Sequence, residues 1–482
     1  MNAQELLQEI SDYCRRTGLA ESTFGRRAVN DGKLASRLRH GGRITTDMLD
    51  RIRAFMATNG SGNRSALIQR SMDGRPPAPR LQAPAPPIAP AGSRDATSIA
   101  RVGDKPDPQR NFRFFDNRQK YLLFVHTCSE KWVVANRVSL ELANLHPRPP
   151  AVRVFDAGVG DGTVLLRVMR AMHDRFPHQP FYIVGKEISL EDVRLAMQKM
   201  SDRFCEHPAT VLVFTNLAYA DAPWLAVKSL SAASSMVWHE VPLTGHSAHQ
   251  FEQQITGLVP FLSQNWKAGV SAETGNPVYE RPVVLVIYRE DHKFLLDPII
   301  PRPGGTVANY DLVIASQPYR ARASLDFKAK RVLAPLARAL GPGGRLIGIH
   351  SHGNDPGMEI IQRVWPGDSP FAHDRHQVLK ALKQELGSAG RDLNFNAYAD
   401  NRSLFRYYMH TLPTEISETS SIGTSTLFAA WNAAIYVAQV EDHRVSEAAA
   451  DGRYLQATSE VLRKHGALWF YDESYVISRR RE

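Results

Sequence analysis

Val154-Phe-Asp-Ala-Gly-Val-Gly-Asp-Gly-Thr163 places three glycines, Gly158, Gly160 and Gly162, at alternate positions behind a short apolar run. That run, Val152, Val154 and Phe155, ends in Asp156, and Val164, Leu165, Val168, Met169 and Met172 then recur at three- and four-residue steps. The change of period predicts a strand, a glycine loop and a helix. Glycine lets the backbone turn sharply and approach a ligand with no Cβ in the way. The helix that follows presents unpaired N–H groups at its first turn. This is the layout of a nucleotide-type ligand site.

The same alternation runs on from the loop. Strands are predicted at 152–156, 181–186, 210–215, 311–315 and 345–350, and helices at 162–175, 190–204 and 324–340, the last ending at Gly341-Pro-Gly-Gly344. Strands apolar throughout, separated by amphipathic helices, predict an α/β fold: a doubly wound, mostly parallel sheet covered on both faces. Tyr121-Leu-Leu-Phe-Val125 and Trp132-Val-Val-Ala135 mark a lead-in helical region. Residues 216–310 break the pattern. There, 223–265 read as largely helical, and Val283–Tyr288 with Lys293–Leu296 reads as a hairpin. An insertion of this length beside a glycine loop predicts a lid or substrate region. The C-terminal third predicts a helix at 375–387, a strand near 405–410, helices at 426–440 and 446–464, and a closing strand at 467–478.

Composition bounds the rest. A chain of 482 residues predicts two or three folded units. Hydrophobic residues at 43% and charged residues at 22% exclude wholesale disorder. No apolar run approaches the ~20 residues of a membrane span, so no membrane partner is expected. The acidic, amphipathic N-terminus is not a secretory signal. Cys14, Cys128 and Cys205 are far apart, which fits neither a disulfide framework nor a zinc spacing and points to the cytoplasm. His239, His246 and His249 read as surface histidines, so no metal is expected. A net charge of +10 permits an anionic partner.

Three segments follow. Residues 1–57 predict a small all-α domain. Residues 58–110, with Arg75-Pro-Pro-Ala-Pro-Arg80 and Ala83-Pro-Ala-Pro-Pro-Ile-Ala-Pro90, predict a disordered, partly polyproline linker. Residues 111–482 carry the sheet. In the first segment, Gly18-Leu19-Ala20-Glu21-Ser22, the basic stretch Lys33-Leu-Ala-Ser-Arg-Leu-Arg-His40 and Gly42-Arg43-Ile44-Thr45 resemble the phage-repressor-like helix-turn-helix family. The resemblance implies DNA as a partner through residues 1–57, with Ser36, Arg37 and Arg39 reaching bases or phosphates. Asp31 departs from that picture, lying where phosphate would be approached.

At the glycine loop three further residues narrow the ligand. Asp156, at the strand end, suits a ligand ammonium group. Glu187 ends the next strand, placed to accept both hydroxyls of an unphosphorylated ribose. Asn216 and Leu217 end the third, placed to bond an adenine edge and cover its face. Together these residues resemble the Rossmann-like S-adenosylmethionine-dependent methyltransferases, whose acidic-x-Gly-x-Gly-x-Gly motif is matched by Asp156, Gly158, Gly160 and Gly162. Glu187 matches that family's acidic residue on strand two. Asn216 replaces the usual acidic residue of strand three, and Gly341–Gly344 is similar to the turn before strand five. The resemblance implies S-adenosyl-L-methionine as cofactor and methyl transfer as activity. A dinucleotide oxidoreductase would carry Gly-x-Gly-x-x-Gly, and here the third glycine comes one residue early.

The acceptor is read from Ala315-Ser-Gln-Pro-Tyr-Arg320 and His350-Ser-His352. Pro318, Tyr319 and His350 are the expected substrate-side residues. DNA amino-methyltransferases place Asn/Asp-Pro-Pro-aromatic at the first of these sites, and Ser316-Gln317 departs from that pattern. The leading expectation is therefore a methyltransferase acting on a small molecule. The alternatives are a DNA-binding regulator with a ligand-sensing methyltransferase-like domain, or a nucleic-acid methyltransferase.

Overall fold

The structure, a computed structural model, describes residues 3–17, 19–29, 31–39, 46–58, 118–271, 277–411, 414–416 and 421–481. They fall into two units, Met1–Arg101 and Val102–Glu482. The expected linker beyond residue 58 and the Gly42–Thr45 turn lie outside the described residues.

Among the described residues, the first unit has four helices, Ala3–Thr17, Glu21–Val29, Leu34–Arg39 and Thr46–Thr58. Leu6, Ile10, Tyr13, Phe24, Leu34, Leu38 and Ile52 close its core. The break before the third helix is tight because Gly25 has no side chain: a Cβ there would lie 2.2 Å from the Asp31 carbonyl oxygen. Ser36, Arg37 and Arg39 are exposed on the third helix. Arg37 pairs with Asp31 at 2.9 Å, and Arg39 donates to Glu21 at 2.7 Å. The carboxylates come from the preceding turn and helix, and both arginine side chains stay about half exposed, 44% and 49%.

The second unit is built on one large sheet. Its strands are β1 (Val152–Asp156), β2 (Phe181–Lys186), β3 (Thr210–Thr215), β4 (Val237–Leu243), β7 (Val283–Arg289), β8 (Tyr310–Ser316), β9 (Leu340–Ser351), β10 (Leu393–Asn396), β11 (Leu404–Tyr408) and β12 (Trp469–Arg479). β5 (Ala268–Val270) and β6 (Pro277–Tyr279) form a separate pair. The order across the large sheet is β10-β12-β9-β8-β1-β2-β3-β7-β4, with β11 also on β12. β3, β2, β1, β8 and β9 are parallel. β12 runs antiparallel to β9, and β7 antiparallel to β3. The fold is thus the expected doubly wound, mostly parallel sheet. Helices cover both faces, one core containing Leu165, Val168 and Met172, the other Val332, Leu336 and Leu382. The winding reverses at β1, between β2 on one side and β8 on the other. Ligands of such sheets bind beyond the strand ends at that reversal, and the glycine loop leaves β1 there.

Four local expectations are corrected. Gly341-Pro-Gly-Gly344 lies inside β9 rather than in a turn, as a bulge where the pairing shifts between Tyr310 and Leu312. Lys293–Leu296 is a single helical turn rather than a strand, because both edges of β7 are already paired, with β3 and β4. Val237–Leu243 is a strand inside the region expected to be helical; it pairs along its whole length with β7. The helix expected at 324–340 opens into a π-type turn over Phe327–Leu333, ahead of Pro335, which has no N–H to continue the ladder. Among the described residues no helix is long and apolar enough to cross a membrane.

Candidate cofactor and acceptor site

The loop after β1 is held by hydrogen bonds that use its backbone. Asp156 accepts from Gly158 N at 3.1 Å, and Glu187 accepts from Gly160 N at 2.9 Å. Glu187 also accepts from Ile188 N and Ser189 N, both at 2.8 Å. The three glycines have different reasons. Gly160 and Gly162 sit at φ +54° and +82°, and a Cβ on Gly162 would lie 2.7 Å from Ala196 Cα. Gly158 is exposed, and a Cβ there would meet only Ser316 O, at 3.9 Å. The packing of the protein makes no demand for glycine at 158, where a Cβ would have room.

A roof covers this loop. Tyr121, on the helix Arg118–Thr127, donates to Asp161 Oδ1 at 3.2 Å and accepts from Asp161 N at 3.1 Å. Asp161 in turn accepts from Thr163 Oγ1 at 2.6 Å and pairs with Lys199. The roof is anchored by the C-terminal third: the Phe124 and Tyr436 rings lie 4.7 Å apart, and Asn432 donates to Lys120 O at 2.9 Å.

Burial pushes the Asp156 carboxyl up to about 7, with Glu187 adding to the rise while the Gly158 N–H and Lys131 oppose it. Burial and Glu187 also push Asp192 up to about 7. Asp161 differs: Lys199 and Lys131 outweigh its burial and hold it below the ordinary carboxylate range. In Asp156 and Asp192, burial therefore favours the neutral acid, and a cation brought against either would favour the ionised form.

Asn216 does not serve as expected. Its amide donates to Arg281 O at 2.9 Å and accepts from Val283 N at 2.8 Å, so it fastens β3 to the start of β7. Leu217 is fully buried in the core rather than open as a cover for a ring. Sequence reasoning missed Tyr121, Lys131, Asp192 and Lys199. Only Asp161 and Asp192 had a local signal, as extra acids within and after the motif; the rest arrive from 25 or more residues away.

On the other side of β1, Gln317 takes a left-handed backbone, φ +47°, which turns the chain sharply out of β8. Pro318 O accepts from Tyr219 at 2.7 Å, and Tyr219 lies in the field of Glu187 and Asp156. Tyr319 and His350, both buried, meet at 2.7 Å between Tyr319 Oη and His350 Nδ1. The structure therefore brings Tyr319 and His350 together at the ends of β8 and β9, with Pro318 beside them in the chain. A cavity of about 640 Å³ lies further along the same sheet edge, beyond β9, against His352, Asp355 and Tyr471; it does not include the glycine loop. His239 stacks on Phe261, while His246 and His249 are exposed. Among the described residues no three His, Cys, Asp or Glu side chains are grouped to hold a metal.

No family model and no curated protein sequence matches the chain. Solved structures with a similar chain course include geranyl diphosphate methyltransferase in complex with GPP and sinefungin. That match is 12% identical at a TM-score of 0.28, covering 71% of this chain and 78% of the other. A putative sarcosine dimethylglycine methyltransferase from Galdieria sulphuraria is 9% identical at a TM-score of 0.28, covering 76% and 86%. PKMT2 from Rickettsia typhi, in complex with AdoHcy, is 12% identical at a TM-score of 0.25, covering 72% and 53%. Likenesses this remote carry no chemistry across, and the functional reading rests on the site itself.

Proposed function

We propose that residues 111–482 form an S-adenosylmethionine-dependent methyltransferase acting on a small molecule in the cytoplasm. The observation that carries this reading is the glycine loop that leaves β1 at the reversal of the sheet, with Gly160 and Gly162 at positive φ, Glu187 accepting Gly160 N, and the buried carboxyl groups of Asp156 and Asp192 beside it. A dinucleotide would bring a pyrophosphate against these acids, whereas S-adenosylmethionine brings an ammonium and a sulfonium. Gly158 leaves room for close approach, Gly160 and Gly162 hold the turn, and Glu187 would take the ribose hydroxyls. Asn216 and Leu217 are left out of the binding set. When bound, the cofactor would supply an electrophilic methyl group, with its sulfur as the leaving atom, to a nucleophile of the acceptor. The chain contributes alignment and enclosure, with Tyr121, Tyr219, Tyr319 and Tyr436 around the site and the 216–310 insertion beside it.

The test is calorimetric titration with S-adenosylmethionine and S-adenosylhomocysteine, followed by methyl transfer from tritiated cofactor into fractionated cell extract. Micromolar binding and label in the metabolite fraction are expected. Tight binding of NADH with no binding of S-adenosylmethionine would overturn the assignment.

A further inference from the structure

Behind Pro318 a buried chain of polar groups runs from the loop after β8 across β9 to β12. Tyr319 Oη meets His350 Nδ1 at 2.7 Å, and His350 Nε2 meets Glu473 Oε1 at 2.7 Å. Glu473 also accepts from Arg375 N at 2.8 Å and Arg375 Nη1 at 3.0 Å. Tyr319, His350 and Glu473 are 6%, 5% and 1% exposed. Burial works against ionisation of Glu473, but hydrogen bonds from His350, His352 and Arg375 outweigh it and hold the carboxyl below the ordinary range. An ionised carboxylate only accepts, so His350 Nε2 carries a proton. When the ring is neutral, Nδ1 is an acceptor and Tyr319 donates to it. The Tyr475 hydroxyl, 3.3 Å from Tyr319 Oη, can donate to one of that oxygen's lone pairs. One lone pair remains.

We propose that Tyr319, His350 and Glu473 form a proton relay for the methyl acceptor, and that the acceptor is therefore a hydroxyl group. A neutral amine is nucleophilic before it loses a proton, but an alcohol or phenol must shed its proton as the new bond forms. In the relay the acceptor's O–H electrons stay on its oxygen and its proton passes to Tyr319 Oη. The proton of Tyr319 moves in the same event to His350 Nδ1, and the imidazolium so formed is compensated by Glu473. After release of the methyl ether, the proton returns through Tyr319 to water. Tyr319 need never become a phenolate, which suits a phenol whose pKa burial raises well above its usual value. Tyr319 is the catalytic residue here; His350 stores the proton and Glu473 positions it. The other groups facing this chain are Tyr475 on β12, Lys328, whose Nζ lies 5.1 Å from the Tyr319 ring centre, His352, 3.7 Å from Glu473, and His373, which senses His350.

This inference rests on the transferase reading, and one set of measurements separates the two. The probe is tritiated S-adenosylmethionine with fractionated extract. Tyr319→Phe should lower transfer at least about 100-fold, the scale of general acid–base catalysis, with cofactor affinity unchanged within twofold. His350→Gln should cost a similar factor, and the double variant no more than either alone. A role in packing alone would make the two losses add. Wild-type rate in Tyr319→Phe, or additive losses in the double variant, overturns the relay and leaves the transferase standing. Wild-type protein that binds cofactor and labels nothing overturns both.

Discussion

Glu187 accepts the backbone N–H of Gly160 at 2.9 Å, tying the end of β2 to the middle of the loop that leaves β1. This carboxylate shapes the loop, and under the proposed cofactor assignment its loss should act on binding. If Glu187 accepts charged hydrogen bonds from a ribose, Glu187→Ala should cost roughly 1.5–3 kcal/mol, or about 10- to 150-fold in affinity for S-adenosylmethionine. Isothermal titration reads this directly, and an unchanged Kd removes Glu187 from the binding set.

Gly158 and Gly162 should respond in opposite ways to alanine. At Gly162 the positive φ and the approach of Ala196 predict a stability loss of about 1–3 kcal/mol from backbone strain alone. At Gly158 the new methyl meets nothing closer than 3.9 Å, so stability should change by less than about 0.5 kcal/mol while cofactor affinity falls. Denaturant melts beside calorimetry on both variants check the contrast; equal melting losses would contradict it.

Asp156 gives the binding a pH dependence. Its carboxyl titrates near 7 in the folded protein and at about 3.9 when unfolded. The folded state therefore binds the extra proton. The stability this contributes is complete below about 4 and is lost as pH rises through about 7. A cationic cofactor reverses the preference, because it pairs with the ionised form. Affinity should weaken below pH 7 by up to about tenfold per pH unit, and the thermal shift given by cofactor should be larger at pH 8 than at pH 6. A pH-independent Kd from 5.5 to 8, or a stronger one in acid, would rule out Asp156 as the cation's partner.

Asn216→Ala should behave as a structural change. It leaves Val283 N and Arg281 O without these partners, at a cost of about 1–3 kcal/mol for the buried Val283 N–H. Cofactor affinity, measured well below the melting transition, should stay within twofold. A large loss of affinity with an unchanged melt would return Asn216 to the adenine site.

Much of this molecule is determined by sequence-local physics. β1, β2 and β3 run over the predicted residues because continuous apolar runs between amphipathic helices have few other places to go in a buried sheet. Gly160 and Gly162 were legible for the same reason, since a positive φ is a property of one residue and its neighbours. Asp156 and Glu187 followed from their places at strand ends. What tertiary structure alone decided is where side chains spend their hydrogen bonds. Asn216 stands at the right strand end for an adenine, but β7 folds in antiparallel beside β3 and takes both ends of its amide. Arg37 and Arg39 are basic residues on an exposed helix, yet Asp31 and Glu21 reach them first. Tyr121 meets Asp161 from 40 residues away, and Glu473 meets His350 from 123. Neither meeting leaves a mark in local pattern, because a contact between distant segments depends on the sheet order that brings β12 beside β9 and the roof over the loop.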